Sequence, residues 1–244
     1  GTIAILLDEV DALLSYDLLA QEKLFRVFRA LSQEQYCRFV FCGERILYAR
    51  LHAPDSPLFN FCDTIHLSYL EEQAARRMIL EPMQAMGITM ADQETVVREI
   101  MDLASCHPNL VQYICQRLII QINRRGSRRI TMADLEAVRT SSQFNEYFIE
   151  VTWGNASALE KLISVLIIDR TPVTMSDIET LLNQAGLPVP RVDLEEAVGD
   201  LVLYSIIRKN GQYYEFASQG FPHVIKASQD MPTLLSGLKR KVVV

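Results

Sequence analysis

Residues 2–7 (TIAILL) form an unbroken apolar run rich in Ile and Leu, the pattern of a parallel strand buried on both faces. Residues 39–42 (FVFC) make a second such run, closed by Gly43, and residues 64–67 a third and weaker one. Between the first two, apolar residues at 18, 19, 24, 25, 27, 28 and 31 trace a helical stripe over residues 18–31, one face of an amphipathic helix. Strand, helix and strand joined by short links imply a βαβ unit with a right-handed crossover.

Beyond residue 70 the strand signals stop. Residues 71–86 open with acidic side chains suited to a helix N-terminus, and Pro82 is expected to kink or end that helix. Residues 92–105 and 108–122 read as two more helices, the second with Pro108 in its first turn. Thr131 reads as the N-cap of a helix over 132–138. Residues 70–150 are thus expected to be a small all-helical module. Residues 156–168, 176–184 and 194–203 then read as helices, the second stopped by Gly186. Two short alternating strands, 205–209 and 212–216, flank Asn210-Gly211, a type I′ hairpin signal. Three helices and a two-stranded wing predict a winged helix over 151–231. Residues 232–244 read as a tail, frayed around the basic residues 239–241. No internal repeat is visible.

Composition narrows the classes. With 49% apolar and 22% charged residues, 10 Gly and 9 Pro in 244 residues, the chain has the make-up of a packed globular protein and not of a disordered or collagen-like one. A net charge of −6 supplies no global field for nucleic acid or anionic lipid. The five Cys lack any CxxC spacing, which argues against a disulfide framework or a zinc site and for a reducing, cytoplasmic setting. No apolar run approaches the roughly 18 residues of a membrane span, so no membrane partner is expected.

The residues suited to chemistry sit at strand and helix ends. Asp8 and Glu9 follow the first apolar run directly, at the carboxyl end of a strand, where open α/β sheets place their ligands. Asp8 suits the water shell of Mg²⁺, and Glu9 suits orienting or deprotonating a water that attacks a phosphate. The plainer reading is that the pair caps a strand. His107-Pro108 opens a helix whose first free N–H groups could face an anion, or it is simply a Pro-started helix. The four His residues, 52, 66, 107 and 223, do not pair at ligand spacing. The basic run Arg124-Arg125-Gly-Ser-Arg128-Arg129 suits a DNA backbone, an acidic partner or a solvated loop. The third helix of the expected winged helix carries Asp193, Glu195, Glu196 and Asp200 against Arg191, and residues 156–230 hold six Lys/Arg and ten Asp/Glu, which disfavours contact with DNA. Met78, Met83, Met86, Phe144, Tyr147 and Phe148 stand at helical spacing and read as core or domain contacts.

Residues 3–11 (IAILLDEVD), together with 39–45 (FVFCGER), 56–70 (SPLFNFCDTIHLSYL) and 104–119 (ASCHPNLVQYICQRLI), resemble the second half of a P-loop ATPase of the STAND/AAA+ superclass. The resemblance covers essentially the whole chain, with the first and last of these segments its specific parts. It implies an α/β fold class: an incomplete P-loop core of parallel strands over residues 1–69 (Walker B and sensor-1 strands), an all-α lid over 70–150 and an α+β winged helix over 151–231, mostly helical overall. It implies ATP or ADP with Mg²⁺ as the ligands of the intact protein, Asp8 assisting the metal and Glu9 the water. His107 and Pro108 then contact the nucleotide. Cys42 stands where relatives carry a polar sensor-1 residue and is a weak donor, so Arg45 is the alternative phosphate sensor. Arg50 or Arg117 could act in trans on a neighbouring subunit.

One departure bears on activity. No G-x-x-x-x-G-K-[ST] loop occurs in the 244 residues, so the backbone cradle and Lys that bind phosphates are lacking. The chain starts at Gly1 without Met and runs straight into a strand, and we therefore expect a fragment, not hydrolysis-competent alone, of a nucleotide-dependent switch that engages a protein effector or itself. In the family's strand order residues 64–67 would lack their neighbour, which makes the first 70 residues the expected weak part. The alternatives are an initiator-like DNA-binding winged-helix module and a degenerate, non-enzymatic scaffold.

Overall fold

In a computed structural model, residues 3–242 are described; Thr2 of the expected first strand and Val243-Val244 of the expected tail lie outside the described residues. The fold is mostly helical and divides into two compact units, Gly1–Leu67 and Ser68–Val244.

The first unit runs β1 (Ile3–Leu7), α1 (Val10–Leu19), α2 (Lys23–Gln33), β2 (Cys37–Phe41) and α3 (Arg45–His52). β1 and β2 pair in parallel, from Ile3 opposite Cys37 to Leu7 opposite Phe41, as the βαβ pattern requires. The crossover is two helices where one was expected over 18–31. Asp17 breaks it. Its main-chain oxygen accepts from Ala20 and Glu22 N–H at 2.9 and 2.7 Å, ending α1. Its buried carboxylate accepts from Leu24 and Phe25 N–H, both at 3.0 Å, capping α2. Gln21 and Glu22 make the reversal with left-handed φ of 61° and 57°.

Burial on both sheet faces is not observed. Phe28 of α2 stacks on Phe39 of β2 with ring centroids 4.8 Å apart, covering one face. On the other, Leu6 and Val40 are 72% and 57% exposed. Residues 64–67 form no strand, and Ile65 and Leu67 stand 85% and 81% exposed. Apolar alternation alone does not make a strand; its N–H and C=O groups need a neighbour to bond. The unit's core is small: Val10, Leu14, Phe25, Leu47 and Leu58, with a few half-buried apolar residues around them.

The second unit opens with α4 (Glu72–Ala85), β3 (Thr89–Met90), α5 (Gln93–Ala104), α6 (Pro108–Arg124), β4 (Arg129–Ile130), α7 (Met132–Arg139) and α8 (Ser142–Trp153). Its starts are written locally: Asp92 caps α5 through Thr95 N–H at 3.2 Å, and Thr131 with Asp134 closes a capping box on α7. α4 continues through Pro82 for a last partial turn. The sequence pattern did not foresee the two-residue strands β3 and β4, which pair in parallel. The loop before β4 is not a free basic loop. Arg125 forks onto Asp134 at 2.7 and 3.0 Å, and Arg128 donates to the Met86 carbonyl at 2.6 Å. Burial raises the Asp134 pKa, but hydrogen bonds from Arg125 and Thr131 outweigh it and hold the carboxyl below its ordinary value.

The chain continues as α9 (Ala158–Ile167), β5 (Val173–Thr174), α10 (Met175–Gln184), α11 (Arg191–Leu203), β6 (Ile207–Asn210), β7 (Tyr213–Phe216), α12 (Phe221–Ser228) and α13 (Met231–Val242). Ser157 with Glu160 and Thr174 with Asp177 form capping boxes. The three strands order β5-β7-β6, antiparallel. Asn210 belongs to β6 and faces Tyr213, so the two-residue loop is Gly211-Gln212. Left-handed φ occurs at Gly211 and not at Gln212, so the expected type I′ turn is corrected: that type needs positive φ at both. The expected frayed tail is corrected too. Residues 231–242 are a helix whose Leu238 is buried and whose Met231, Leu234, Leu235 and Val242 pack on the core. Residues 70–150 and 151–231 share one compact unit and one continuous apolar core, from Ala75 and Ile100 through Phe148 to Ile178 and Phe221.

The two cores differ enough in size to separate in stability. Amide hydrogen exchange is expected to be faster throughout residues 3–67 than in helices α5, α6 and α9, since opening energy follows the buried apolar contacts. Uniform protection along residues 3–150 would contradict this. Replacing Asp17 by Ala strands two N–H groups and is expected to cost about 1–3 kcal/mol of the first unit's stability in urea unfolding.

Candidate functional site

The carboxyl ends of β1 and β2 lie side by side and are stitched together by the backbone. Cys42 N–H donates to Leu7 C=O at 2.8 Å, and Val10 N–H donates to Cys42 C=O at 3.0 Å. Asp8 and Glu9 fill the corner between β1 and α1, both exposed. The Asp8 carboxylate accepts from Glu9 N–H at 2.9 Å through one oxygen. Glu9 is held at φ 51°, ψ 41°, a left-handed conformation that costs a non-glycine residue on the order of 1 kcal/mol and clusters at functional sites.

Asp11, in the first turn of α1, has no role assigned from the sequence, and it organises the site. One carboxylate oxygen accepts from Glu44 N–H at 2.6 Å; the other accepts from Ile46 and Leu47 N–H at 2.7 and 3.3 Å. These are the first-turn donors of α3, whose own N-cap residue Glu44 supplies no side-chain cap. The clue in the sequence was the start Gly43-Glu44-Arg45, which lacks a Ser, Thr, Asn or Asp and so needs an acceptor from elsewhere. Gly43 makes the approach possible: a Cβ there would lie 2.3 Å from Asp11 Oδ2 and 3.0 Å from both Leu47 Cβ and Val10 Cγ2. Cys42 is exposed at the end of β2, and Arg45 is half-buried at the first position of α3. The fold therefore gathers Asp8, Glu9, Cys42 and Arg45 around one pair of strand ends. Arg50, considered as a trans-acting arginine, is 16% exposed and ion-paired with Glu22 at 2.7 Å within its own unit.

His107 and Pro108 belong to the second unit, at the start of α6. His107 is the N-cap, its Nδ1 accepting from Asn109 N–H at 3.2 Å. A ring accepting at Nδ1 carries its proton on Nε2 when neutral. Burial lowers the His107 pKa below its ordinary 6.5, against a smaller upward pull from a backbone hydrogen bond. The imidazole itself thus occupies part of the helix end that an anion would use. Ser105 and Cys106 before it are both left-handed, at φ 48° and 57°, and the Cys106 carbonyl accepts from Leu70 N–H at 3.0 Å. Tyr69 packs 5.0 Å from the His107 ring, and burial pushes its hydroxyl pKa up to about 12. Arg117, the other trans candidate, donates to Gln143 and lies 5.8 Å from the Tyr113 ring.

No cluster of three His, Cys, Asp or Glu able to cage a metal occurs among the described residues. The cations of α11 and the hairpin are engaged: Arg191 with Glu179 at 2.9 Å and Glu195 at 2.7 Å, Arg208 with Glu215 at 2.9 Å, and Lys209 over the Tyr214 ring at 5.8 Å. None of the described helices is long and apolar enough to cross a membrane.

No protein-family model matches the chain, and no curated protein sequence matches it. Solved structures do. A Walker-type ATPase of Pyrococcus abyssi aligns over 93% of this chain and 63% of its own, at 14% identity and a TM-score of 0.65. The ORC2 protein of Aeropyrum pernix in its ADP form aligns over 100% of this chain and 65% of its own, at 10% identity and a TM-score of 0.47. The RuvB Holliday junction branch migration motor of Thermotoga maritima aligns over 84% and 64%, at 13% identity and 0.42. The chain spans less than two-thirds of each of these structures. The last two scores are too low to argue from. The first shows a fold shared with a Walker-type ATPase, mostly helical with a small parallel sheet, and at that identity it shows the fold alone.

Two outcomes follow from this geometry. Asp11→Ala and Gly43→Ala are each expected to lower the first unit's stability by about 1–3 kcal/mol, through lost capping and through overpacking. The double variant should cost less than the sum of the two, because Asp11→Ala removes the atom that the new methyl strikes; strict additivity in urea unfolding would contradict the contact. For His107, the unfolded chain binds more protons than the folded one between the depressed pKa and 6.5, so stability of the second unit rises with pH across that window and is lost as pH falls through it. His107→Asn, which keeps a cap, should flatten that slope.

Proposed function

We propose that this chain is the Walker B-to-lid portion of a STAND/AAA+-type P-loop ATPase that works as a nucleotide-dependent switch, with residues 151–231 as its winged helix. The observation that carries the reading is the pair of exposed carboxylates, Asp8 and Glu9, at the end of a parallel strand whose neighbour is locked beside it by Asp11. Glu9 in a left-handed conformation is the strained residue of that corner, as a catalytic base held off its relaxed geometry would be. Three helices, α9 to α11, with the sheet β5-β7-β6 support the winged-helix reading.

In the intact protein the ligands would be ATP and ADP with Mg²⁺. Asp8 would hold the metal's water shell with the carboxylate oxygen that Glu9 N–H leaves open. A metal bound there would supply charge to neutralise the phosphates. Glu9 would orient the attacking water and accept its proton. Arg45 or Cys42 would sense the phosphate from the end of β2. His107, neutral and with its proton on Nε2, would offer a single donor to the nucleotide instead of a positive charge, and Pro108 would present an apolar surface. The protein would act in the cytoplasm, its nucleotide state exposing or hiding a surface for a protein effector or another copy.

The rival reading, an initiator-like module reading DNA through α11 and the hairpin, is disfavoured by the ion pairs that consume Arg191 and Arg208. A non-enzymatic scaffold is the reading that remains if the carboxylates prove inert. In a polypeptide where a phosphate loop precedes this region, Glu9→Gln is expected to lower ATP turnover about 10²–10⁴-fold with ATP binding retained. Unchanged turnover removes Glu9 from the mechanism. The 244-residue chain by itself, lacking that loop, is expected to release no phosphate from ATP.

A further inference from the structure

The first unit holds an open sheet edge and a strand-like segment with nothing to pair to. Cys42 N–H donates to Leu7 C=O, so residues 38, 40 and 42 turn their N–H and C=O groups towards β1. Sides alternate along a parallel ladder, and Cys37, Phe39 and Phe41 therefore turn theirs the other way. β2 pairs with β1 alone, and no hydrogen bond fills its outer edge among the described residues. One face of the pair is bare as well. Ala4 stands beside Arg38 and Leu6 beside Val40, and all four are exposed. Arg38 meets no carboxylate among the described residues. Residues 63–67 (DTIHL) are exposed throughout, and their backbone makes no hydrogen bond among the described residues. His66 turns back to Tyr48, the rings 6.1 Å apart, while Ile65 and Leu67 stand in solvent.

We propose that residues 63–67 of one chain add as a parallel strand to the outer edge of β2 in a second copy, forming a weak dimer. Within one chain the two parts share a unit and stay unpaired. An unpaired apolar edge is a template for a strand of another chain, main-chain bonds giving the affinity. Side chains set the register. With Ile65 beside Val40 in the parallel sense, Ile65 and Leu67 extend the bare face and Asp63 falls beside Arg38. The antiparallel sense puts Leu67 beside Arg38 and leaves Asp63 without a cation. The outer edge of β1 is the poorer seat: with Ile65 beside Leu6, either Leu67 or Asp63 meets Asp8. One five-residue strand is small against the roughly 1,200 Å² at which stable interfaces begin. Two copies that exchange the segment reciprocally double the contact, and association is expected to depend on concentration. The inference stands whether or not Asp8 and Glu9 act on a nucleotide.

The test is sedimentation equilibrium of the 244-residue chain over a wide range of concentration. The average mass is expected to rise from that of one chain towards that of two. Ile65→Lys/Leu67→Lys alters two exposed side chains and should stay monomeric throughout. Val192→Lys, at an exposed apolar residue of α11, should associate like the native chain, and circular dichroism checks that each variant folds. Arg38→Glu should weaken association about 2–10-fold, and adding Asp63→Arg should restore it. A native chain that is monomeric at every concentration would overturn the proposal and leave the edge to a strand from elsewhere. Dimers that survive Ile65→Lys/Leu67→Lys, equal loss in Val192→Lys, or an Arg38→Glu defect that Asp63→Arg does not repair would overturn it as well.

Discussion

One carboxylate holds the acidic corner together. Asp11 reaches from the first turn of α1 to the uncapped first turn of α3, taking up three backbone donors. The ends of β1 and β2 are thereby fixed to two different helices at once, and the Asp8-Glu9 corner cannot drift from Cys42 and Arg45. Gly43 is the counterpart of this contact, since any side chain there would displace the carboxylate. A third acid close by in sequence is thus committed to the backbone. Asp8 and Glu9 stay exposed at the same corner, so the difference between them and Asp11 follows from geometry and not from residue type.

The second unit solves its helix ends mostly from within. Asp92, Thr131 with Asp134, Ser157 with Glu160 and Thr174 with Asp177 each cap a helix three residues or fewer away. His107 does the same with an imidazole, and burial favours the neutral ring that can accept. Two serine pairs tie distant parts of the unit: Ser105 donates to Ser218 at 2.7 Å, and Ser68 meets Ser205 at 2.9 Å. Ser105, Cys106 and Ser205 are also its left-handed non-glycine residues among those described. The His107-Pro108 start is therefore bonded through its preceding turn to the loop that leads into α12.

What could be read in the sequence was what is local. The β1–β2 pairing, the starts of α5, α6 and α7 and the acid pair after β1 all rest on neighbouring residues and are legible in periodicity or a capping side chain, although β2 runs from Cys37 to Phe41 and α10 starts at Met175, behind its cap Thr174. What could not be read depends on partners far along the chain. Asp17 splits one amphipathic stripe into two helices through a carboxylate seven and eight residues ahead of the donors it caps. Asp11 meets donors more than thirty residues away. Residues 64–67 have a strand's alternation and no strand to pair with. The basic run at 124–129 looked available and is half spent on Asp134 and Met86, whereas the basic end of α13 looked frayed and is docked. In each case the residue types were legible and the tertiary partner was not.

The most direct test of the Asp11 constraint is residue-resolved amide exchange at Glu44, Ile46 and Leu47. The account expects these three amides to be protected in the native chain and to lose protection together in Asp11→Asn, while the Cys42 amide, bonded to Leu7, keeps most of its own. Fast exchange at all three in the native chain, or protection indifferent to Asp11, would contradict it.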